Sequence, residues 1–310
     1  MEFQIRSPAS RLRVHFVALG CLRLLIKFLA NSPSGLPRRK TAASAIFLIR
    51  RMELISPTDF AKEKVRSVQE YALLAARSIG NLFKRPLYVA DMIQQADLIG
   101  FGSLRIVLAA VFFTGAALAL NSASSLARFG AMTVIGQLVS VGIVRELGPV
   151  LAGLVVAGRN ASGMASELGS MIVTEQIDAM RALGTDPMKK LVTPRVISTI
   201  VMLFFLTILG DLMGMLGGAF VVNFVLRLDT HQYWSNTWQT LEFSDVFTGL
   251  AKPVVFGFII ATIGCYYGLT TKGGTQGVGR ATTEAVVASM ILIIAVDVFI
   301  TRLLMITLGT

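Results

Sequence analysis

Five long apolar stretches constrain the fold of this chain more than any other feature. Each is near or above the roughly 20 residues that a helix needs to cross a bilayer. The fourth is the weakest, since Lys252 and Pro253 interrupt its beginning. With 54% apolar and only 15% charged residues, against about 25% charged in a soluble domain, the chain is predicted to be an all-α polytopic membrane protein. The predicted spans are residues 98–121, 131–157, 196–226, 247–271 and 285–308.

Lys and Arg residues predict the orientation, because they concentrate in cytoplasmic loops. Six lie within residues 62–85, five lie in the second loop, and Lys272 and Arg280 lie in the fourth. The first loop has only Arg128, and the third has two basic residues beside three acidic ones. The N-terminus is therefore predicted inside and the C-terminus outside.

The formal charge of +11 lies mainly in residues 1–51, which carry a net +9 and leave +2 for the remainder. Three interpretations of this basic extension stay open: a segment lying on anionic lipid, an Arg-rich targeting peptide, or sequence upstream of a true start at Met52. The third is favoured because every diagnostic segment follows Met52. Nucleic-acid binding is not predicted, since no recognised module accompanies the charge.

Residues 52–97 contain an amphipathic helix that is predicted to begin at Ser56 and Pro57. Its cationic character, just before a span, favours a position flat in the cytoplasmic interface. A soluble helix that packs on a partner is the alternative. Its apolar positions recur at helical spacing and are Val65, Val68, Ala72, Ala75, Ile79 and Leu82.

Small residues recur every four positions along the second and third spans, which lets membrane helices approach closely. The pattern predicts tight packing but fits a homodimer seam and a contact within one chain equally well. The residues are Gly153, Ala157, Ala161, Ala165 and Gly169, and then Gly210, Gly214 and Gly218.

Charged residues inside the spans need a partner or water. Arg145 and Glu146 are the leading pair. They either neutralise each other or an adjacent helix, or they line a polar part of a substrate cavity or its gate. Pro149 interrupts the hydrogen-bond ladder one turn earlier, which predicts a kink beside the pair. The weaker candidates are Asp211 and Asp297, expected to be satisfied by helix contacts, and Arg302, expected to reach the outer interface.

The loop at residues 173–190 is predicted to form a short amphipathic helix that docks on a soluble partner. A surface helix resting on the membrane is the alternative. Gly184 suits the position after the helix end. The predicted apolar side is Ile172, Ile177, Met180 and Leu183, and the exposed residues are Glu175, Gln176, Asp178 and Arg181.

Several kinds of site are missing from the sequence. No G-x-x-x-x-G-K-[ST] loop for ATP phosphates occurs, and no G-x-S-x-G elbow is present. The two histidines and two cysteines are too scattered for a zinc site or a disulfide framework. The chain is therefore not predicted to be an enzyme, to bind a metal or to bind ATP by itself.

Three segments resemble the MlaE/YrbE family of ABC-transporter permeases, which includes the chloroplast TGD-type permease. They are RELGPVLAGLVVAGR, ASELGSMIVTEQIDAMRALGTDPMKKLVTPR and GVGRATTEAVVASMILIIAVDVFIT, and the resemblance covers residues 52–310. It implies an interfacial helix followed by five spans, with residues 98–310 as the permease domain. Residues 1–51 and Arg302 are not matched by the family pattern.

The resemblance also implies roles for two motifs. The first lines a central lipid cavity or gate and comprises Arg145, Glu146, Leu147, Gly148 and Pro149. The second is a coupling helix near residues 173–187, seated on an ATPase, and comprises Glu175, Gln176, Asp178, Ala179, Met180, Gly184, Asp186 and Pro187.

The function implied by the resemblance is transport of phospholipid or a related lipid between membranes. The partners implied are a second copy of the chain, a cytoplasmic ATPase that uses ATP and Mg²⁺, an MlaD-like MCE-domain protein and, as a further subunit, an MlaB-like STAS-domain protein. The location implied is the bacterial inner membrane or, alternatively, the chloroplast inner envelope. The rival functions are an ion-coupled carrier, with Glu146, Asp211 and Asp297 as its relay, and a membrane scaffold for an MCE-domain protein.

Overall fold

The computed structural model describes residues 57–82 and 88–308, which are mainly helical. Within these residues, five helical segments are long and apolar enough to cross a membrane, which confirms the predicted fold class. The predicted basic extension, residues 1–51, lies outside the described residues. The five segments are Val89–Arg128, Met132–Val173, Met188–Phe224, Phe243–Leu269 and Gly274–Thr307.

The α-helices are numbered in chain order. The second segment consists of three of them joined by π-helical turns at Ile143–Leu147 and Ala157–Ala161, and a third π turn, Met188–Val192, opens the third segment. The helices are α1 (Pro57–Leu82), α2 (Val89–Arg128), α3 (Ile135–Gly142), α4 (Gly148–Val156), α5 (Ser162–Val173), α6 (Gln176–Ala182), α7 (Thr193–Phe224), α8 (Thr230–Thr240), α9 (Phe243–Leu269) and α10 (Gly274–Leu308).

Several helices extend beyond the predicted apolar stretches. Helix α2 begins at Val89 instead of residue 98, the second segment continues to Val173 instead of ending at 157, and α10 begins at Gly274 instead of 285. The added turns contain polar residues. A helical backbone satisfies its own hydrogen bonds in lipid or water, so the hydropathy of the side chains marks the hydrocarbon layer and not the helix end.

Helix α1 begins at Pro57, as predicted. In its second half, the Tyr71 hydroxyl lies 3.1 Å from Oγ1 of Thr262 in α9, while Ile79 is exposed. Burial raises the pKa of the Tyr71 hydroxyl. The position of α1 in the membrane interface stays a prediction.

Helix α8 lies between the third and fourth spans. Asp229 caps it by accepting a hydrogen bond from the backbone N–H of His231 at 2.9 Å. The Tyr233 hydroxyl donates to the carbonyl of Met215 at 2.9 Å, and burial raises its pKa to about 12. Tyr233 therefore stays protonated at neutral pH and holds α8 against α7.

The small-residue ridges form contacts between helices of the same chain. A Cβ on Gly214 would lie 2.9 Å from Ile143 and 3.0 Å from Val111, so this part of α7 packs between α2 and the second segment. A Cβ on Gly264 would lie 3.1 Å from the Cα of Ala161. Ala157, Ala161 and Ala165 are fully buried. Close packing within one chain therefore accounts for both ridges.

Gly268→Ala is expected to destabilise the protein by about 1 to 3 kcal/mol, as overpacking of a tight contact does. The added Cβ would lie 2.7 Å from the Cβ of Leu168 and 3.2 Å from the Cα of Ala165. Thermal unfolding in detergent measures the loss. Gly163→Ala is the matched control, because a Cβ there meets nothing within 4 Å and alanine favours a helix. Equal stability of the two variants would contradict the proposed contact.

Candidate functional site

A partly buried cluster of charges joins three spans in the half of the bundle that contains α8. The Nε of Arg145 lies 2.8 Å from Oδ1 of Asp245 in the first turn of α9. Oε2 of Glu146 lies 2.6 Å from the Nζ of Lys252, also in α9. The adjacent Arg145 and Glu146 thus pair with two different residues of one neighbouring helix.

Lys252 is the centre of this cluster. Its side chain is 0% exposed, and its Nζ also lies 3.0 Å from Oδ1 of Asp297 in α10. Thr301 of α10 donates a hydrogen bond to Oε1 of Glu146 at 3.1 Å. One ammonium group therefore connects the second, fourth and fifth spans.

The cluster has two cations and three carboxylates, so its formal charge is −1. Its buried members are Lys252 and Asp245, whereas the Glu146 side chain is 40% exposed and the Arg145 side chain 25% exposed. The low dielectric strengthens the contacts at Lys252. Glu146 is the most exposed charged member of the cluster.

The local backbone explains why Arg145 and Glu146 occupy an irregular turn. Both lie in the π turn Ile143–Leu147, and Pro149 is the second residue of the following helix α4. Proline has no N–H to donate and its ring crowds the carbonyl four residues earlier. A π turn relieves this crowding within a continuous helix, and such turns are frequent at functional sites. The π turn therefore contains the charged pair, one turn before Pro149 in α4.

Asp245 has a second role at the start of α9. Its Oδ2 accepts a hydrogen bond from the backbone N–H of Glu242 at 3.1 Å, as part of a capping box. This contact fixes the carboxyl group while Oδ1 faces Arg145. Helix capping and ion pairing thus share one side chain.

The remaining intramembrane acids and Arg302 have different environments. Asp297 belongs to the charged cluster. Its Oδ1 lies 3.0 Å from the Nζ of Lys252, so it has a partner on a neighbouring helix, as predicted. Asp211 of α7 is only 6% exposed, and its Oδ1 accepts no hydrogen bond within the described part of the chain. The prediction that helix contacts satisfy Asp211 is therefore wrong for that atom, which packs against Gly148. Arg302 is exposed near the end of α10.

The second candidate element is α6, which protrudes between the second and third spans. Ile177 is fully buried and anchors it, while Glu175, Gln176, Asp178 and Arg181 are exposed, as predicted. Asp178 and Arg181 pair at 2.8 Å on the surface. The helix therefore offers a polar face to the aqueous side.

Both ends of α6 are sharply defined. Glu175 has a left-handed backbone with φ of 60°, and Gly184 has φ of 76°. The N–H of Thr185 donates to Met180 and that of Gly184 donates to Arg181, each at 3.0 Å. These two bonds form a Schellman motif, so Gly184 ends the helix as predicted.

The chain enters the third span a few residues after α6. Oδ1 of Asp186 accepts a hydrogen bond from the N–H of Met188 at 2.9 Å, and Pro187 is buried.

The predicted apolar side of α6 is only partly buried. Met180 and Ile172 are half-buried, but Leu183 is 84% exposed. The prediction is wrong for Leu183, which follows the last residue of α6 and stays on the surface at the turn. The result is a single exposed leucine beside exposed charges.

Sequence reasoning missed three members of the charged cluster. Lys252 was interpreted only as an interruption of the fourth span, Asp245 only as a loop charge, and Thr301 was not singled out. The position of Lys252 inside an apolar stretch was a signal that could have been used, since a charged residue within a span needs a partner or water. The partners lie more than 90 residues from Glu146 or Arg145, beyond the reach of local patterns.

Comparison with known proteins identifies the family. Residues 92–303 match the family model described as Permease MlaE. A probable ABC transporter permease protein of Rickettsia typhi is 46% identical over 239 residues, which cover 77% of this chain and 92% of the relative. A probable ABC transporter permease protein of Synechocystis is 41% identical over 214 residues, which cover 69% of this chain and 81% of the relative.

A plant protein is also similar. The Arabidopsis thaliana protein TRIGALACTOSYLDIACYLGLYCEROL 1, chloroplastic, is 36% identical over 225 residues, which cover 73% of this chain and 64% of the relative. The family match includes the charged cluster, α6 and all five spans except the ends of the first and last. The chain belongs to the MlaE permease family.

Proposed function

We propose that this chain is the permease subunit of an ABC transporter that moves phospholipid or a related lipid between membranes, with energy from a separate ATPase subunit. The observation that carries the proposal is the exposed, sharply bounded helix α6 in a chain of this family. Such a helix can receive a movement from a soluble partner and pass it to the two spans that it joins. The name of the Arabidopsis relative, which contains that of a glycerolipid, supports a lipid substrate.

The proposed assembly contains two copies of this chain, an ATPase that uses ATP and Mg²⁺, and an MCE-domain protein on the far side, with a STAS-domain protein as an additional subunit. Helix α6 is assigned to the ATPase side, which the distribution of Lys and Arg predicts to be cytoplasmic. A bacterial inner membrane is the proposed location, with the chloroplast inner envelope as the alternative.

The charged cluster is proposed to be a polar part of the lipid cavity. Glu146 is the member best suited to reach a headgroup, since its side chain is 40% exposed while Lys252 holds it in place. The π turn makes the backbone around Leu147, Gly148 and Pro149 the proposed moving part. The tight packing of the ridges restricts that movement to sliding along the helix contacts.

Glu146→Gln is expected to lower the amount of lipid that co-purifies with the complex several-fold, because the charge next to the opening is lost. Lys252 keeps its contact with Asp297, so the fold should persist. Mass spectrometry of extracted lipid measures the effect and also identifies the lipid. Arg302→Gln is the control. Unchanged lipid in the Glu146→Gln variant would assign the cluster a structural role only.

An ion-coupled carrier is the second candidate, favoured by the buried contacts of Lys252 with Glu146 and Asp297. A scaffold for an MCE-domain protein is the third. Purification followed by reconstitution separates the three. The ABC proposal requires an ATPase subunit in the complex and lipid movement that depends on ATP. Movement driven by an ion gradient alone would favour the carrier, and a complex without nucleotide dependence would favour the scaffold.

A further inference from the structure

Arg105 and Arg159 lie within the spans and have no carboxylate partner among the described residues. Arg105 lies in α2, and Arg159 lies in the π turn Ala157–Ala161 of the second span. Asp97, the acid closest to Arg105 along α2, forms no ion pair with either within the described part of the chain. Charged residues in membrane helices are paired or face water or a ligand. These two cations therefore lack a counter-charge that the chain itself supplies.

Arg159 is held against α2 by hydrogen bonds. Its Nη1 donates to the carbonyl of Leu98 and to Oγ of Ser103, each at 3.2 Å. The guanidinium lies over Gly102, where a Cβ would collide with it. These contacts fix the position of the guanidinium but leave its charge uncompensated.

Arg105 lies on the same face of α2, three residues after Gly102. Residues at this spacing are neighbours on a helix surface, about one turn or 5 Å apart along the axis. Helix geometry therefore places the two arginines at one face of α2, within about one turn of each other. Two like charges at this distance repel in a medium of low dielectric, so an anion between them would stabilise both.

The surroundings indicate that the anion belongs to a lipid. Arg105 and Arg159 are exposed, and on α2 the apolar Phe101 and Ile106 beside them are 71% and 54% exposed. Arg105 lies about 10 Å along the helix from the start of the apolar stretch at residue 98. From this depth the long arginine side chain can extend toward the headgroup phosphates at the interface. Basic pockets between membrane helices bind lipid headgroups in this way.

The neighbouring residue adds an independent observation. Asn160 is 7% exposed, and its Nδ2 donates to no acceptor among the described residues. A buried amide donor without an acceptor is costly. The π turn that holds Arg159 therefore contains both an uncompensated charge and an unpaired hydrogen-bond donor.

We propose that Arg105 and Arg159 form a binding site for the phosphate of a phospholipid in the leaflet nearer α6. Arginine suits this ligand because its planar donors match phosphate oxygens. The site is distinct from the charged cluster, since Arg159 lies about 20 Å along the second span from Arg145. The proposal does not rest on the proposed function, because a lipid bound here need not be the one that is moved.

Native mass spectrometry of the full chain in detergent tests the site. The probes are phosphatidylglycerol and monogalactosyldiacylglycerol with the same acyl chains, which differ in the phosphate. The wild-type protein is expected to retain phosphatidylglycerol preferentially. Arg105→Gln should reduce this preference about tenfold, the effect of losing a hydrogen bond to a charged group, whereas Arg105→Lys should keep most of it.

Arg302→Gln is the matched control, since Arg302 is also an exposed arginine of a spanning helix. Equal retention of the two lipids, or an equal loss in the Arg302→Gln variant, would overturn the proposal. Displacement of phosphatidylglycerol by inorganic phosphate would assign the site to free phosphate instead of a lipid. Dissociation of a dimer by Arg105→Gln, with lipid retention unchanged, would show that a second copy provides the counter-charge.

Discussion

Lys252→Met is expected to lower the free energy of unfolding by about 3 to 5 kcal/mol, the usual effect of removing one partner from a buried ion pair. The lysine is fully buried and faces both Glu146 and Asp297. Without it, two carboxylates would face each other inside the bundle. The exposed side of Glu146 gives some access to water, which favours the lower end of this range. Thermal unfolding in detergent measures the loss.

A triple variant tests this explanation. Combining Lys252→Met with Glu146→Gln and Asp297→Asn removes the unpaired charges and is expected to restore most of the stability, because an uncharged replacement of similar volume is often neutral. Lys272→Met is the control, since Lys272 is exposed. If Lys252→Met unfolds at the wild-type temperature, Lys252 does not hold the three spans together.

Replacing Glu175 and Asp178 together by glutamine and asparagine is expected to reduce lipid movement per ATP hydrolysed about tenfold or more, within the usual range of coupling between sites. Both side chains are exposed on α6, so the fold should be unaffected. Leu183→Asn should add to the loss, because Leu183 is the exposed apolar residue of this surface. The measurement compares ATP hydrolysis and lipid transfer in the reconstituted complex.

The matched control for α6 is Thr283→Val, which changes an exposed residue in the first half of α10, outside the α6 surface. The expected pattern is normal assembly and ATP hydrolysis with loss of transfer only in the α6 variants. Normal coupling in the double variant would refute the assignment of α6 to the ATPase. Failure to assemble would instead show that Glu175 and Asp178 provide binding rather than coupling.

The features that depend on neighbouring residues were predictable from the sequence. The five spans follow from hydropathy, and the end of α6 follows from Gly184, since glycine readily adopts the left-handed conformation there. The exposed side of α6 follows from four polar residues at helical spacing. These patterns require no knowledge of which helices meet.

The partners of the charged residues were not predictable in the same way. Arg145 and Glu146 are adjacent in sequence, so local reasoning allowed them to neutralise each other. The structure pairs them with Asp245 and Lys252 instead. These partners are set by the way α9 packs on the second span. That packing depends on small residues such as Gly264, which lies against Ala161. Lys252 therefore could not be assigned before the helix contacts were known.

Helix α8 was also missed, although Asp229 followed by Thr230 gave a helix-start signal. Its buried side is held by Tyr233 and by the Thr237 hydroxyl, which donates to the carbonyl of Gly136 at 3.3 Å. These contacts are tertiary, and the short polar sequence alone shows no span-like pattern.

The two π turns of the second span also determine which way the side chains before and after them point around the helix axis. Each π turn contains one residue more than the matching α-turn, which advances every later side chain by about 100° around the axis. Deleting Gly158 would restore an ordinary ladder but turn Ala161 and Ala165 away from α9, while leaving Arg145 in place. A single-residue deletion here would therefore rotate α6 relative to the charged cluster without removing any residue of either.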